Sequence, residues 1–234
     1  MPKLTTHDFP DAGTQAEALA RRVAMQLREG IAVQGRATIA VSGGSTPKAF
    51  FARLSNEMLD WSAVTVTLVD ERWVPDTDAR SNARLVQSTL LQNAAAAAHF
   101  VPLYTGAATP EQGLAEAEAR IAGLPTPFDV VVLGMGDDGH TASFFPGGDH
   151  LAEATDPHGT ARVWPMRAPG AGEPRITLSL PALLDTRALY LLLCGEGKRS
   201  LLTSVEQDAA VAQGYPVRCV VQQDAVPLDV YWSP

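Results

Sequence analysis

A chain of 234 residues with 46% hydrophobic and 19% charged residues is too apolar to stay disordered, and long enough for one large α/β domain or two small ones. A net charge of −8 disfavours a nucleic-acid or anionic-membrane partner, yet leaves room for a small anion held by a few local cations. No apolar run of about 18 residues suggests a membrane span, and the N-terminal MPKLTTHDFPDAG lacks the apolar core of a signal peptide. Cys194 and Cys219 sit in or beside apolar runs, so they read as buried free thiols of a cytoplasmic protein.

In chain order, residues 14–30 have helical periodicity behind a threonine cap, and ATIAVS (37–42) reads as a buried strand. A helix is expected from Pro47 to Leu59, then a second buried strand, VTVTLVD (64–70). SNARLVQSTLLQ is the next helix, NAAAAA (93–98) a helix end or surface stretch, VPLY a short strand and PEQGLAEAEARIAG a helix. FDVVVLG (128–134) is the third strong strand, and the Gly-, Pro- and acid-rich residues 146–174 read as loop. RITLSL (175–180), ALYLLLC (188–194), VRCVV (217–221) and LDVYW (228–232) read as strands, with a helix over KRSLLTSVEQDAAV. Continuous apolar strands alternating with helices imply a mostly parallel sheet covered on both faces, in one domain spanning residues 1–234 without linker or repeat. Ligands of such sheets bind at the carboxyl ends of the strands. The polar loops SGGSTP, DERWVP, GMGDDGH and GEGK all follow strand runs, so they are expected to gather on that edge.

The first loop places Gly43, Gly44, Ser45 and Thr46 before Pro47, which suits the first helical position, with Thr46 as cap. Exposed N–H groups at a positive helix end suit a phosphate; an ordinary strand-to-helix turn is the bland alternative. In the second loop, Asp70 ends a strand and Arg72 offers a planar fork for phosphate or carboxylate, unless Arg72 only braces the loop against Asp70 or Glu71. Asn82 caps a helix or ties that loop down, and Trp73 reads as packing. The third loop, Gly134-Met135-Gly136-Asp137-Asp138-Gly139, spells the dinucleotide fingerprint G-x-G-x-x-G. Pro146, Gly147 and Gly148 leave too little room for the long helix that a pyrophosphate needs, and Asp137 and Asp138 would repel it. The glycines instead let a tight turn present His140 as a general base with Asp138 orienting its ring, and backbone N–H groups of the turn, Gly136 among them, or Arg72 are the candidates to meet an oxyanion. Phe145 is expected to touch none of these groups. His7, His99, His150 and His158 read as surface residues, and no second His or Cys stands at metal-ligand spacing from His140, so neither metal nor other cofactor is expected. Arg175 and Lys198 supply positive charge; a lysine in the first turn of a helix opposes the dipole, and a bound anion would offset that.

The segments VSGGSTPKAFFARL, LVDERWVP with SN after it, VVLGMGDDGHTASFFPG and RITLSLPALLDTRALYLLLCGEGKR together resemble the 6-phosphogluconolactonases of the pentose phosphate pathway, over about residues 37–199. The resemblance implies an open, doubly wound, Rossmann-like α/β fold shared with glucosamine-6-phosphate deaminases and related sugar-phosphate isomerases. It implies metal-free hydrolysis of 6-phospho-D-glucono-1,5-lactone, with His140 activating water beside Asp138, and Arg72 and the first loop handling the phosphorylated substrate. Lys198 matches a phosphate-binding lysine of the deaminase relatives. No G-x-S-x-G nucleophile elbow is present, and an activated ester such as a δ-lactone needs none.

Two other functions compete. A deaminase or isomerase on an amino-sugar phosphate would use a carboxylate base near C2, for which Asp70 is the candidate. A non-catalytic sugar-phosphate sensor would need a DNA-binding segment, for which the chain has no spare length or basic patch. The expected partner is therefore a small phosphosugar lactone, with the protein a monomer or homodimer.

Overall fold

The computed structural model describes residues 4–234; residues 1–3, part of the stretch searched above for a leader, lie outside it. The strands are β1 (Leu4–Asp8), β2 (Ala37–Val41), β3 (Val64–Leu68), β4 (Asp70–Arg72), β5 (His99–Val101), β6 (Val130–Leu133), β7 (Val163–Met166), β8 (Arg175–Leu178), β9 (Leu189–Cys194) and β10 (Leu228–Ser233). The helices are α1 (Ala12–Gln34), α2 (Pro47–Leu54), α3 (Asn82–Thr89), α4 (Pro110–Ala122), α5 (Leu151–Ala154), α6 (Leu180–Leu184), α7 (Glu196–Glu206) and α8 (Arg218–Val221).

Seven strands form one all-parallel sheet in the order β1-β10-β9-β6-β2-β3-β5. Every residue of β2 and β6 is buried, on odd and even positions alike, so both faces of the sheet are covered. Helix α1 lays Leu19, Val23 and Leu27, spaced one turn apart, into the core, where Phe50 and Phe51 of α2 are also fully buried. From β2 the chain runs outward through β3 to β5, then returns to β6 on the other side. The order therefore reverses between β2 and β6, where parallel α/β sheets open a crevice at their carboxyl ends. Among the described residues no helix is long and apolar enough to cross a membrane.

The expected α/β sheet is present, with corrections at its margins. The strand expected at 217–221 is helix α8. Its cap Val217 and its own Val220, three apart, are buried, a helical spacing that a five-residue apolar run does not reveal. The helix expected to reach Leu59 ends at Leu54, because the Ser55 hydroxyl and Asn56 amide both donate back to the Ala52 carbonyl (3.0 and 2.8 Å). Asp11, rather than Thr14, caps α1, accepting from the Thr14 N–H at 2.8 Å. The N-terminal residues Leu4–Asp8, unassigned from sequence, add strand β1 at the sheet edge against β10. Residues 146–174 are not all loop, since they carry α5 and β7. Strand β8 does not join the main sheet. It pairs antiparallel with β4 on one side and β7 on the other, forming a three-stranded sheet whose edge tolerates Pro165.

Candidate active site

A cavity of about 210 Å³ opens at the carboxyl ends of β2, β6 and β9, beside the small sheet. The loop after β2 contributes Gly43, Gly44, Ser45 and Thr46; the small sheet contributes Asp70, Arg72 and Arg175. Gly136 and His140 enter from the loop after β6, Lys198 from the first turn of α7, and Asn82 from the start of α3. Asp138 does not line the cavity but contacts His140 from behind. Of the residues proposed for the site from sequence, all but Asp138 line this cavity, and Asp138 is tied to it through His140.

The loop after β6 is built to aim an imidazole. The Gly136 N–H donates to the His140 carbonyl at 2.8 Å and the Gly139 N–H to the Gly136 carbonyl at 3.1 Å, closing a tight turn in which Gly139 takes φ of 74°. His140 Nδ1 lies 2.5 Å from Asp138 Oδ1, which also accepts the His140 N–H at 3.2 Å. Burial raises the proton affinity of Asp138, but its bonds with His140 outweigh this and hold the carboxyl below its ordinary range. An ionised Asp138 accepts a hydrogen bond from Nδ1–H, which leaves the lone pair of the neutral ring on Nε2; among the described residues no protein group bonds to Nε2. A Cβ on Gly136 would stand 2.2 Å from His140 Cε1 and Nδ1, so only glycine admits the ring here. With the Gly136, Gly139 and His140 N–H groups spent inside the turn, Gly136 serves the site through its missing side chain rather than as a donor to substrate. The next helix, α5, begins only at Leu151 and has four residues, so the dinucleotide architecture is not built.

Phe145 corrects an expectation. It does touch a proposed catalytic group: its ring stacks on His140 with centroids 4.3 Å apart and planes 26° apart, and the Arg175 guanidinium carbon lies 5.2 Å from its centroid.

The cationic wall comes from the small sheet. Arg72 and Arg175 are direct cross-strand partners, an arrangement of like charges that costs stability unless an anion sits between or above them. Burial lowers the proton affinity of Arg175; Asp70, with Oδ2 at 3.8 Å, opposes that and Arg72 reinforces it. The Arg175 Nε and Nη2 groups donate to the Ala171 carbonyl. Arg72 donates from Nη1 to the Arg80 carbonyl, and among the described residues its buried Nε has no hydrogen-bond partner. Asp70 is held by the Ser143 hydroxyl at 2.6 Å and faces the Asn82 amide, which also donates to the Asp70 carbonyl at 2.9 Å. Asn82 in turn fills the space beside Gly43, where a Cβ would fall 1.9 Å from its Oδ1. Asn82 is therefore a tie between loops, and Ser81 is the cap of α3.

Thr46 lines the cavity but does not cap α2: its backbone is already helical and its side chain makes no capping bond. The start of that helix therefore keeps its N–H groups uncapped by side chains, which leaves the positive end to a ligand. Glu71, considered from sequence only as a partner for Arg72, is the brace of the second loop through backbone instead. Fully buried, it accepts from the N–H groups of Arg72, Asn82 and Ala83, each at 2.7 Å, and from the Ser81 hydroxyl at 3.0 Å. Burial pushes its carboxyl upward against those four bonds. Trp73 packs as expected, with its indole N–H on the Ala107 carbonyl. Among the described residues no three His, Cys, Asp or Glu side chains gather as a metal site.

Known proteins resemble the chain in sequence and in fold. The profile of the family described as glucosamine-6-phosphate isomerases/6-phosphogluconolactonase matches residues 10–232. The chain is 52% identical over 228 residues to a 6-phosphogluconolactonase of Rhizobium meliloti (strain 1021), covering 97% of this chain and 98% of the relative. It is 50% identical over 228 residues to one of Mesorhizobium japonicum, covering 97% and 94%. A crystal structure of a 6-phosphogluconolactonase from Shewanella baltica OS155 superposes with a TM-score of 0.95 at 40% identity, covering 99% of this chain and 98% of that one. Matched along nearly its whole length in sequence and in fold, the chain belongs to the glucosamine-6-phosphate isomerase/6-phosphogluconolactonase family.

Proposed function

We propose that this protein hydrolyses 6-phospho-D-glucono-1,5-lactone to 6-phospho-D-gluconate, with His140 as the general base. The observation that carries the mechanism is a His–Asp pair, Nδ1 to Oδ1 at 2.5 Å, whose imidazole lines a cavity also lined by Arg72, Arg175 and Lys198. Nε2 of neutral His140 removes a proton from water as the water oxygen attacks the lactone carbonyl carbon. Asp138 stabilises the imidazolium formed. Arg72, which lines the cavity, stabilises the tetrahedral oxyanion. Collapse breaks the bond from carbonyl carbon to ring oxygen, and the imidazolium returns its proton to that oxygen, giving the open-chain acid. The uncapped start of α2 at Gly43–Thr46, Lys198 and Arg175 hold the substrate's phosphoryl group and fix the carbonyl near the base. Asp70, bonded to Ser143 and near Arg175, orients the cationic wall; this engagement favours the lactonase over a deaminase using Asp70 as base.

The test is a time course of lactone loss corrected for spontaneous hydrolysis, for the native protein and His140→Asn, beside an assay for glucosamine-6-phosphate turnover. Lactone loss only with the native protein is expected; a folded His140→Asn protein with normal turnover removes the base, and turnover of the amino sugar instead of the lactone removes the reaction. We further read the chain as a single domain around its one contiguous core, acting as a monomer or homodimer in the cytoplasm, where the unpaired thiols of Cys194 and Cys219 suit a reducing compartment.

A further inference from the structure

We infer that Phe145 is a positioning residue that sets the spacing between the proton acceptor and the cation of the site; the inference rests on the reading of His140 as base. Three contacts locate the imidazole. Asp138 holds Nδ1 at 2.5 Å, Gly136 presses in at the Cε1–Nδ1 edge, and the Phe145 ring covers one face at a centroid distance of 4.3 Å. The first two fix one edge of the ring and leave rotation about that edge open. Only the stacked face of Phe145 closes it.

The same Phe145 ring lies 5.2 Å from the Arg175 guanidinium carbon. Phe145 is 2% exposed, in a core that does not let it drift. One rigid, flat side chain therefore contacts both His140, in the loop after β6, and Arg175, on β8 of the small sheet. Attack on a lactone requires water, base and carbonyl within about 3–3.5 Å of one another, and a displacement of about 1 Å is enough to cost about 10²-fold in rate. A flat ring held against both base and cation supplies that tolerance; a branched aliphatic of smaller volume does not.

The experiment compares Phe145→Leu, Phe145→Tyr and His140→Asn with the native protein. Leu keeps the site apolar and removes the flat face; Tyr restores it. We expect Phe145→Leu to lower kcat by about 10- to 100-fold, with KM changed far less because Arg72, Lys198 and the 43–46 loop still hold the phosphoryl group. Phe145→Tyr returns most of kcat. In NMR spectra the His140 Hε1 resonance, shielded by the stacked ring in the native protein, moves downfield in Phe145→Leu and returns toward its native position in Phe145→Tyr. If Phe145→Leu does not fold, the Tyr variant, the resonance of native His140 and a Phe145→Met protein carry the same comparison. A folded Leu or Met variant with kcat within twofold of native, or a His140 resonance unmoved by loss of the aromatic ring, overturns the inference. Should His140→Asn also turn over normally, the underlying base assignment falls; an inactive His140→Asn beside a fully active Phe145→Leu removes only the role of Phe145.

Discussion

Gly136→Ala puts a single methyl group where the His140 ring now lies. The backbone there is not left-handed, so alanine meets no conformational penalty and would, in open space, stabilise the chain by about 0.4–1 kcal/mol through the unfolded state. The space is not open. The new Cβ stands 2.2 Å from Cε1 and Nδ1, against an ordinary contact of 3.4 Å or more, so the ring must retreat by 3.4 − 2.2, about 1.2 Å. It also meets Asp138 Oδ1 at 2.7 Å, so base and orienting carboxylate are displaced together. A shift of this size costs about 10²-fold in a reaction that depends on a near-attack geometry. The expected result is kcat for the lactone down about 10²-fold, KM within a few-fold of native because the cationic wall is untouched, and a melting temperature within a few degrees of native. Lactone loss followed against the spontaneous rate, with thermal unfolding alongside, measures all three. A folded Gly136→Ala protein with kcat within threefold of native would refute the argument that turnover depends on where His140 stands.

Arg72→Ala and Lys198→Ala should each raise KM by about 10- to 100-fold, the worth of a charged hydrogen bond of about 1.5–3 kcal/mol, with Arg72→Ala also lowering kcat; calorimetric binding of 6-phosphogluconate checks this, and unchanged affinity in both variants moves the anion site elsewhere. Glu71→Gln places an amide NH₂ against at least one buried N–H donor; the Ser81 hydroxyl can turn to accept, but Ala83 or the pair Arg72 and Asn82 is left facing a donor. About 2–4 kcal/mol should be lost, visible as a fall of about 6–12 °C in Tm, and a Tm within 2 °C of native contradicts it. The carboxyl of Asp138 is depressed in the folded state, so its contribution to stability is complete above the ordinary carboxylate range and disappears as pH falls through its own lower value. The stability gap between native protein and Asp138→Asn in urea unfolding should therefore narrow as pH falls below the ordinary carboxylate range, whereas a gap that widens there reverses the sign.

The parts of the fold legible in the sequence were those with apolar strands: β2, β6 and β9 are buried on both faces and carry a nearly continuous hydrophobic signature. Their carboxyl-end loops inherited that clarity, which is why His140, Asp138 and the residues 43–46 could be placed on one edge. The small sheet was not legible because β4 has three residues, β7 contains Pro165, and β8 looks like one more strand of the main sheet. Its effect was the pairing of Arg72 with Arg175, which neither residue's neighbours announce. Phe145 escaped for a related reason. An aromatic residue in an apolar stretch has the signature of core whether or not a catalytic ring lies against it, and only the turn at Gly139 brings the two together. Glu71 escaped because three of its four donors, Ser81, Asn82 and Ala83, come from the start of α3, ten or more positions away.

The two arginines ride on a three-stranded unit of its own, while the imidazole and its carboxylate hang from the seven-stranded one, and the two are sewn together by a few bonds such as Ser143 to Asp70 and the Leu178 N–H to the Val69 carbonyl at 2.8 Å. The distance between these arginines and the imidazole is therefore set by how the small sheet docks on the large one. A substitution along that seam can move cation and imidazole apart without altering either side chain.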